Sequence, residues 1–175
     1  MAVLSDLFEY LGIDQFGMLT DRYMRSHDAV DGMDIHMDVF NGEPAWRVQY
    51  FTANDRFEVG PDTVLMITRT VQDPNCLTLH SFRSYCNDDY KEAIDFYNSI
   101  SDDRSPVSLN NIEYPRDLKN IVIKTYKYND NSTLYGIRYH HTFKVPIPNS
   151  EDADKRKNFV YNFLINYIDK KILNR

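Results

Sequence analysis

An α+β domain on an antiparallel sheet of about six strands, a four-stranded meander plus a hairpin, is the fold class that three features of the sequence predict. Between Asp34 and Tyr85, four segments alternate apolar with polar residues and are separated by turn signals, as in a meander. A second alternating pair, Ile121 to Tyr128 and Thr133 to Val145, flanks the polar link Asn129-Asp130-Asn131-Ser132 and reads as a hairpin. Helical spacing of apolar residues marks the N-terminal end, the middle and the C-terminal end, which supplies helices to cover the sheet.

Taken in order, Leu4, Leu7, Phe8 and Leu11 form an amphipathic stripe that starts near Ser5 or Asp6 and stops at Gly12. Phe16, Leu19, Tyr23 and Met24 repeat the pattern after Asp14, although Gly17 lowers the helix propensity there. In the first strand Ile35, Met37 and Val39 point one way and Asp34, His36 and Asp38 the other. Asn41-Gly42 is a tight-turn signal, and Glu43-Pro44 is expected to lengthen that loop before the strand Ala45 to Phe51, with Trp46, Val48 and Tyr50 on one face. The run Thr63 to Val71 is apolar on both sides near its middle, as in an interior strand. Leu77 to Tyr85 completes the meander after Asp73-Pro74-Asn75.

Asn87 is expected to cap the middle helix, whose apolar stripe is Tyr90, Ala93, Ile94 and Tyr97. Ser101 to Pro115 reads as an irregular connection of a length that is either functional or mobile. In the longer hairpin strand, Tyr135, Ile137, Tyr139, His141, Phe143 and Val145 form a core face, and Leu134, Arg138, His140, Thr142 and Lys144 a water-facing one. Asn149 or Ser150 should cap a terminal helix that buries Val160, Phe163, Leu164, Tyr167, Ile168 and Ile172.

With 175 residues and 42% hydrophobic content, the chain is expected to form a single domain, residues 1–175. Its formal charge of −6 disfavours broad attraction to nucleic acid or to anionic membranes. The two cysteines, Cys76 and Cys86, are too few for a disulfide scaffold and suit a reducing compartment. Since the start carries no basic leader with a long apolar run, and no stretch approaches the ~20 apolar residues of a span, a cytoplasmic protein is expected.

Three patterns could carry chemistry. Asp34, His36 and Asp38 share a strand face, but a rise of ~3.4 Å per residue sets the two carboxylates roughly 13 Å apart, too far for one compact metal site. His140-His141-Thr142-Phe143 contains a His-x-Thr-hydrophobic tetrad that resembles half of the two-histidine phosphoesterase signature, and it supports the alternative of a phosphodiesterase-like or metal-dependent enzyme using His140 and Thr142. None of His27, His36 and His80 is followed two places later by Ser or Thr, so the second half of that acid and base pair is missing. Lys124, Tyr126 and Tyr128 could align with Arg138, His140 and Lys144 as a basic, aromatic face able to stack single-stranded bases, a further alternative.

The order of elements, with Asp95-Phe96-Tyr97-Asn98-Ser99-Ile100 closing the middle helix and a terminal helix from about Glu151 to Leu173, resembles the YbjN-type and type III secretion chaperone-like fold. That resemblance implies an acidic binding protein, often dimeric, with no catalytic residues, metal or cofactor. A non-enzymatic protein-binding module, chaperone-like or an inhibitory or regulatory adaptor, is therefore the leading expectation. Its binding residues are expected to be Tyr126, Tyr128, Arg138 and His140, because Tyr and Arg commonly dominate contact energies. The expected partner is a protein, a second copy of the chain included, rather than nucleic acid or membrane.

Overall fold

The structure is a computed structural model that describes residues 33–50, 63–68, 76–148 and 152–172. The two N-terminal helical patterns lie outside the described residues. Strands β1 (Met33–Phe40), β2 (Glu43–Tyr50), β3 (Thr63–Thr68) and β4 (Cys76–Asn87) form the meander, and β5 (Val107–Leu109) pairs with β6 (Ile112–Tyr114). Strands β7 (Arg116–Lys127) and β8 (Thr133–Pro146) form the long hairpin. The main sheet has six strands in the order β1-β2-β3-β4-β8-β7, with every neighbouring pair antiparallel. The described helices are α1 (Tyr90–Asp102) and α2 (Ala153–Tyr167), the latter running into a π-helical turn at Ile168–Ile172.

Local chemistry explains where these elements begin and end. Asn41 and Gly42 adopt φ of 51° and 78°, the left-handed pair of a two-residue hairpin turn, so Glu43 and Pro44 already belong to β2 and do not extend the loop. Pro44 is tolerated at the start of a strand. The middle helix is capped by Asp89, whose carboxylate accepts from the Glu92 N–H, and not by Asn87. Asn87 is the last residue of β4, and its side-chain oxygen accepts the Asp89 N–H one step earlier. Asp152 caps α2 in the same way, two or three residues later than the sequence suggests.

The segment Ser101 to Pro115 is not an irregular loop. Helix α1 continues through Asp102, and β5–β6 turns at Asn110 and Asn111, with φ of 53° and 64°. Asparagine tolerates this conformation better than other residues with a Cβ, so an Asn-Asn pair can stand where Asn-Gly is usual.

One face of the sheet packs against the helices. Trp46, Val48, Leu65, Leu77, Leu79, Phe143 and Val145 join Val160, Tyr161, Phe163, Leu164, Tyr167 and Ile168 in one buried cluster. Tyr114 from β6 wedges into it, edge-on to Phe163 with centroids 5.7 Å apart. Further along, α1 lays Phe96 flat on Tyr85 at 4.0 Å.

The side of β8 expected to face water does so only in part: Arg138 and Lys144 are exposed, but other positions are covered. Leu134 and Thr142 are buried there, as are Ala45, Met66 and Thr68 from the meander. Curvature is the reason. β1 and β4 are separated by two strands, a distance of ~14 Å in a flat sheet, yet the Phe40 ring lies 4.6 Å from His80 and 5.7 Å from Phe82. The sheet therefore curls until the end of β1 roofs its own concave side.

Phe163 sits on α2 among Tyr114, Phe159 and Tyr167. Phe163→Ala should cost ~3 to 5 kcal/mol. In a domain of this size that lowers the melting temperature by roughly 6 °C or more; calorimetry checks it, and a shift of a degree or two would remove α2 from the core.

Candidate functional site

The register places Tyr126, Arg138 and His140, three of the four residues singled out in the sequence, on the concave side of β7 and β8. Val122 pairs with Arg138, Lys124 with Gly136 and Tyr126 with Leu134, so Tyr126 and Arg138 flank Gly136 diagonally. A Cβ on Gly136 would meet Tyr126 Cε2 at 2.9 Å, which means that the tyrosine ring lies down over the glycine. Tyr126 is half-buried by this packing, while Arg138 is exposed. Tyr128 lies just past the ladder and is 44% exposed, its N–H donating to the Ser132 carbonyl at the hairpin turn.

His140 does not join them on an open surface. Its ring stacks on Phe82 at 4.1 Å, and its Nε2 lies 3.1 Å from Nδ1 of His80, whose Nε2 approaches the Thr68 hydroxyl at 3.5 Å. Burial holds His80 down to about 4, with His140 and Lys119 adding to the effect, and burial lowers His140 as well. Both imidazoles are therefore neutral near pH 7. The rings touch, so a substrate phosphate could sit between them only by parting them. Asp38, on the face of the first strand that sequence reading considered for a metal, is held by Arg47 Nη1 at 3.0 Å. The side-chain positions of Asp34 and His36 lie outside the described residues. Among the described residues no group of three metal-ligating side chains occurs.

The helix-covered face holds a second arrangement. Where α1 ends, β5 begins and the π turn comes down on the sheet, a cavity of about 230 Å³ opens over β4, β8 and the start of β7. Ser81, Arg83, Arg116, Tyr139, His141 and Tyr167 supply most of its polar lining. Alternation along the strands accounts for this. Ser81 pairs with His141, Arg83 with Tyr139 and Arg116 with Phe143, so all of these positions share one face.

Each arginine is anchored at one end. Arg116 Nη2 donates to Asp103 Oδ2 at 2.5 Å, and Arg83 Nη2 donates to the Lys171 carbonyl at 2.5 Å. That carbonyl belongs to the π turn, a rare conformation that is frequent at functional sites. The N–H and hydroxyl of Ser105, and then Arg116, keep the Asp103 carboxyl below the usual range. Burial, reinforced by Arg116, holds His141 down to about 4, and burial pushes the Tyr139 and Tyr167 phenols up. Near pH 7 the cavity thus presents two guanidiniums, two neutral phenols and one neutral imidazole.

Sequence reasoning assigned His141 to the core and did not single out Arg83 or Arg116. A signal was present. In the series Leu77, Leu79, Ser81, Arg83, Tyr85, a guanidinium falls on the core-facing register of β4, where an arginine must find a partner or a polar cavity.

Among the described residues no helix is long and apolar enough to cross a membrane. Comparison with known proteins gives no matching family model, no matching curated protein and no matching solved structure.

The His80 environment has a consequence for stability. Because its pKa is about 4 in the folded chain and ~6.5 in the unfolded one, the unfolded state takes up the proton first. The stabilising contribution is complete above pH 6.5 and is lost as the pH falls toward 4. His80→Gln keeps hydrogen-bonding groups but does not titrate, so its melting temperature should fall less between pH 7 and pH 4.5 than that of the parent. Parallel acid limbs would show that this pair does not govern acid stability.

Proposed function

We propose that the chain is a non-enzymatic protein-binding module, chaperone-like or a regulatory adaptor, that receives an extended protein segment along the outer edge of β7. The observation that carries this reading is the edge itself. β7 is the last strand in the sheet order, spans 12 residues, and no described strand pairs with its outer side. An unpaired row of backbone N–H and C=O groups is a template for strand addition, in which main-chain bonds give affinity and side chains give selectivity.

Side-chain chemistry supports the same surface. Tyr128, 44% exposed, lies beside Tyr126 and Arg138 on the concave side, while Ile123, 36% exposed, projects from the opposite face of the same edge strand. β7 carries Arg116, Lys119, Lys124 and Lys127 against one acidic residue, Asp117, which lies 3.9 Å from Lys119, in a chain whose net charge is −6. Edge lysines discourage pairing between two copies through like-charge repulsion, and they favour an acidic or neutral segment of a different protein.

The test is a pull-down from the native host with the parent chain, a Tyr126→Ala plus Arg138→Ala variant, and a Lys124→Glu plus Lys127→Glu variant. A specific partner held by the parent should lose ~2 kcal/mol or more with the first variant, roughly thirtyfold in Kd, and should fail to associate with the second at low salt. Retention of every specific partner by both folded variants would place the binding surface elsewhere.

A further inference from the structure

We propose that the cavity beneath α1 and the π turn is a binding site for a small molecule bearing one oxyanion, a carboxylate or a phosphate, gripped by Arg83 and Arg116. This site lies on the helix-covered face and does not depend on the β7 edge.

Charge is the first argument. Arg83, Arg116 and Lys171 line the cavity, and Asp103 is the one carboxylate among its lining residues. The Arg83 guanidinium is fixed through a neutral carbonyl rather than a carboxylate, so its charge is oriented without being neutralised. Arg116 is held by Asp103 through one terminal nitrogen, which fixes the plane of a group well suited to oxyanions.

Unpartnered buried groups are the second, independent argument. His141 is 6% exposed, and its Nε2 is buried with no hydrogen-bond partner. Arg116 Nε is buried and unpartnered as well. Buried polar atoms nearly always have partners, and these two, both on residues that line the cavity, have none in the chain itself. With the His141 proton on Nε2, both would be donors, which matches an oxyanion and not a cation.

Size and lining narrow the class. At about 230 Å³ the space falls below the ~300 to 1,000 Å³ usual for drug-sized ligands, so the molecule is small. Ile100, Val107 and Phe143 form an apolar wall beside the charged end, which fits a short hydrocarbon or aryl body attached to the anion. The β5–β6 hairpin helps to close the site, since Pro106 and Val107 line it. The long connection noted in the sequence thus acts as a wall of the cavity.

The experiment is an NMR titration of the full chain at pH 7 and constant ionic strength with sodium phosphate, with benzoate and with chloride. The signals followed are the Arg83 and Arg116 side-chain N–H groups and the His141 ring. Saturable shifts with phosphate, benzoate or both, and none with chloride, are expected; the stronger of the two arms identifies phosphate or carboxylate as the preferred group. Arg83→Gln should raise the Kd at least about tenfold, the scale of one charge-assisted hydrogen bond to an ion. Should that variant fail to fold, Arg116→Lys keeps a cation for Asp103 while removing the planar fork, and it should weaken binding to a similar degree. Non-saturable shifts, shifts reproduced by chloride, or unchanged affinity in a folded Arg83→Gln or Arg116→Lys variant would each overturn the proposal and leave a merely hydrated polar cavity.

Discussion

β8 is hydrogen-bonded along its length to β4 on one side and to β7 on the other, and most of its residues are buried or half-buried, on both faces. A strand held in that way has a single free parameter, its register, and a slip of one residue would exchange every side chain between the two faces. The consequence is sharpest at His140 and His141. Adjacent in sequence, they face opposite ways: His140 enters the aromatic cluster made by Phe40, His80 and Phe82, and His141 enters the arginine-lined cavity. The curl, the helix-packed core and both polar sites all take their positions from that alternation.

The alternation also distributes cost. On the concave face, two imidazoles lose water but gain each other, Thr68 and stacked rings, which keeps them neutral and packed. On the other face, Arg83 and Arg116 could not be buried beside the Phe143 and Tyr167 rings without the Lys171 carbonyl and Asp103 to receive them. The π turn and the C-terminal cap of α1, Asp103, therefore serve the same purpose, since each brings an oxygen to a guanidinium. Such positions give up local regularity for a polar site.

Much of the scaffold was legible because period-two alternation is strong wherever one face is buried. Trp46, Val48 and Tyr50, or Ile137, Phe143 and Val145, announce both the strand and its inner face. What stayed hidden depended on distance in the sequence. Nothing local to Phe40 states that it will meet His80, because the curl is a property of the whole sheet; the expectation of a water-facing side on β8 holds at Arg138 and Lys144 and fails at Leu134, His140 and Thr142. The caps moved because Asn87, Asp89 and Asp152 compete with near neighbours of similar chemistry, and the final geometry selects among them. At the hairpin, Tyr126 and Arg138 do share a face, but His140 is drawn into the concave packing. The cavity residues come from β4, β5, β7, β8, both helices and the π turn, so only the core-register position of Arg83 hinted at them.

The claim on which all of this rests is that His140 and His141 occupy opposite faces of one strand. Nuclear Overhauser contacts from the two imidazole rings at pH 7 test it directly. The account predicts that His140 contacts Phe82 and His80, with ring centroids at 4.1 Å and 5.3 Å, and that His141 contacts neither. Contacts from His141 to Phe82 and His80, with none from His140, would reveal a one-residue shift of β8 and contradict the core, the concave cluster and the cavity together.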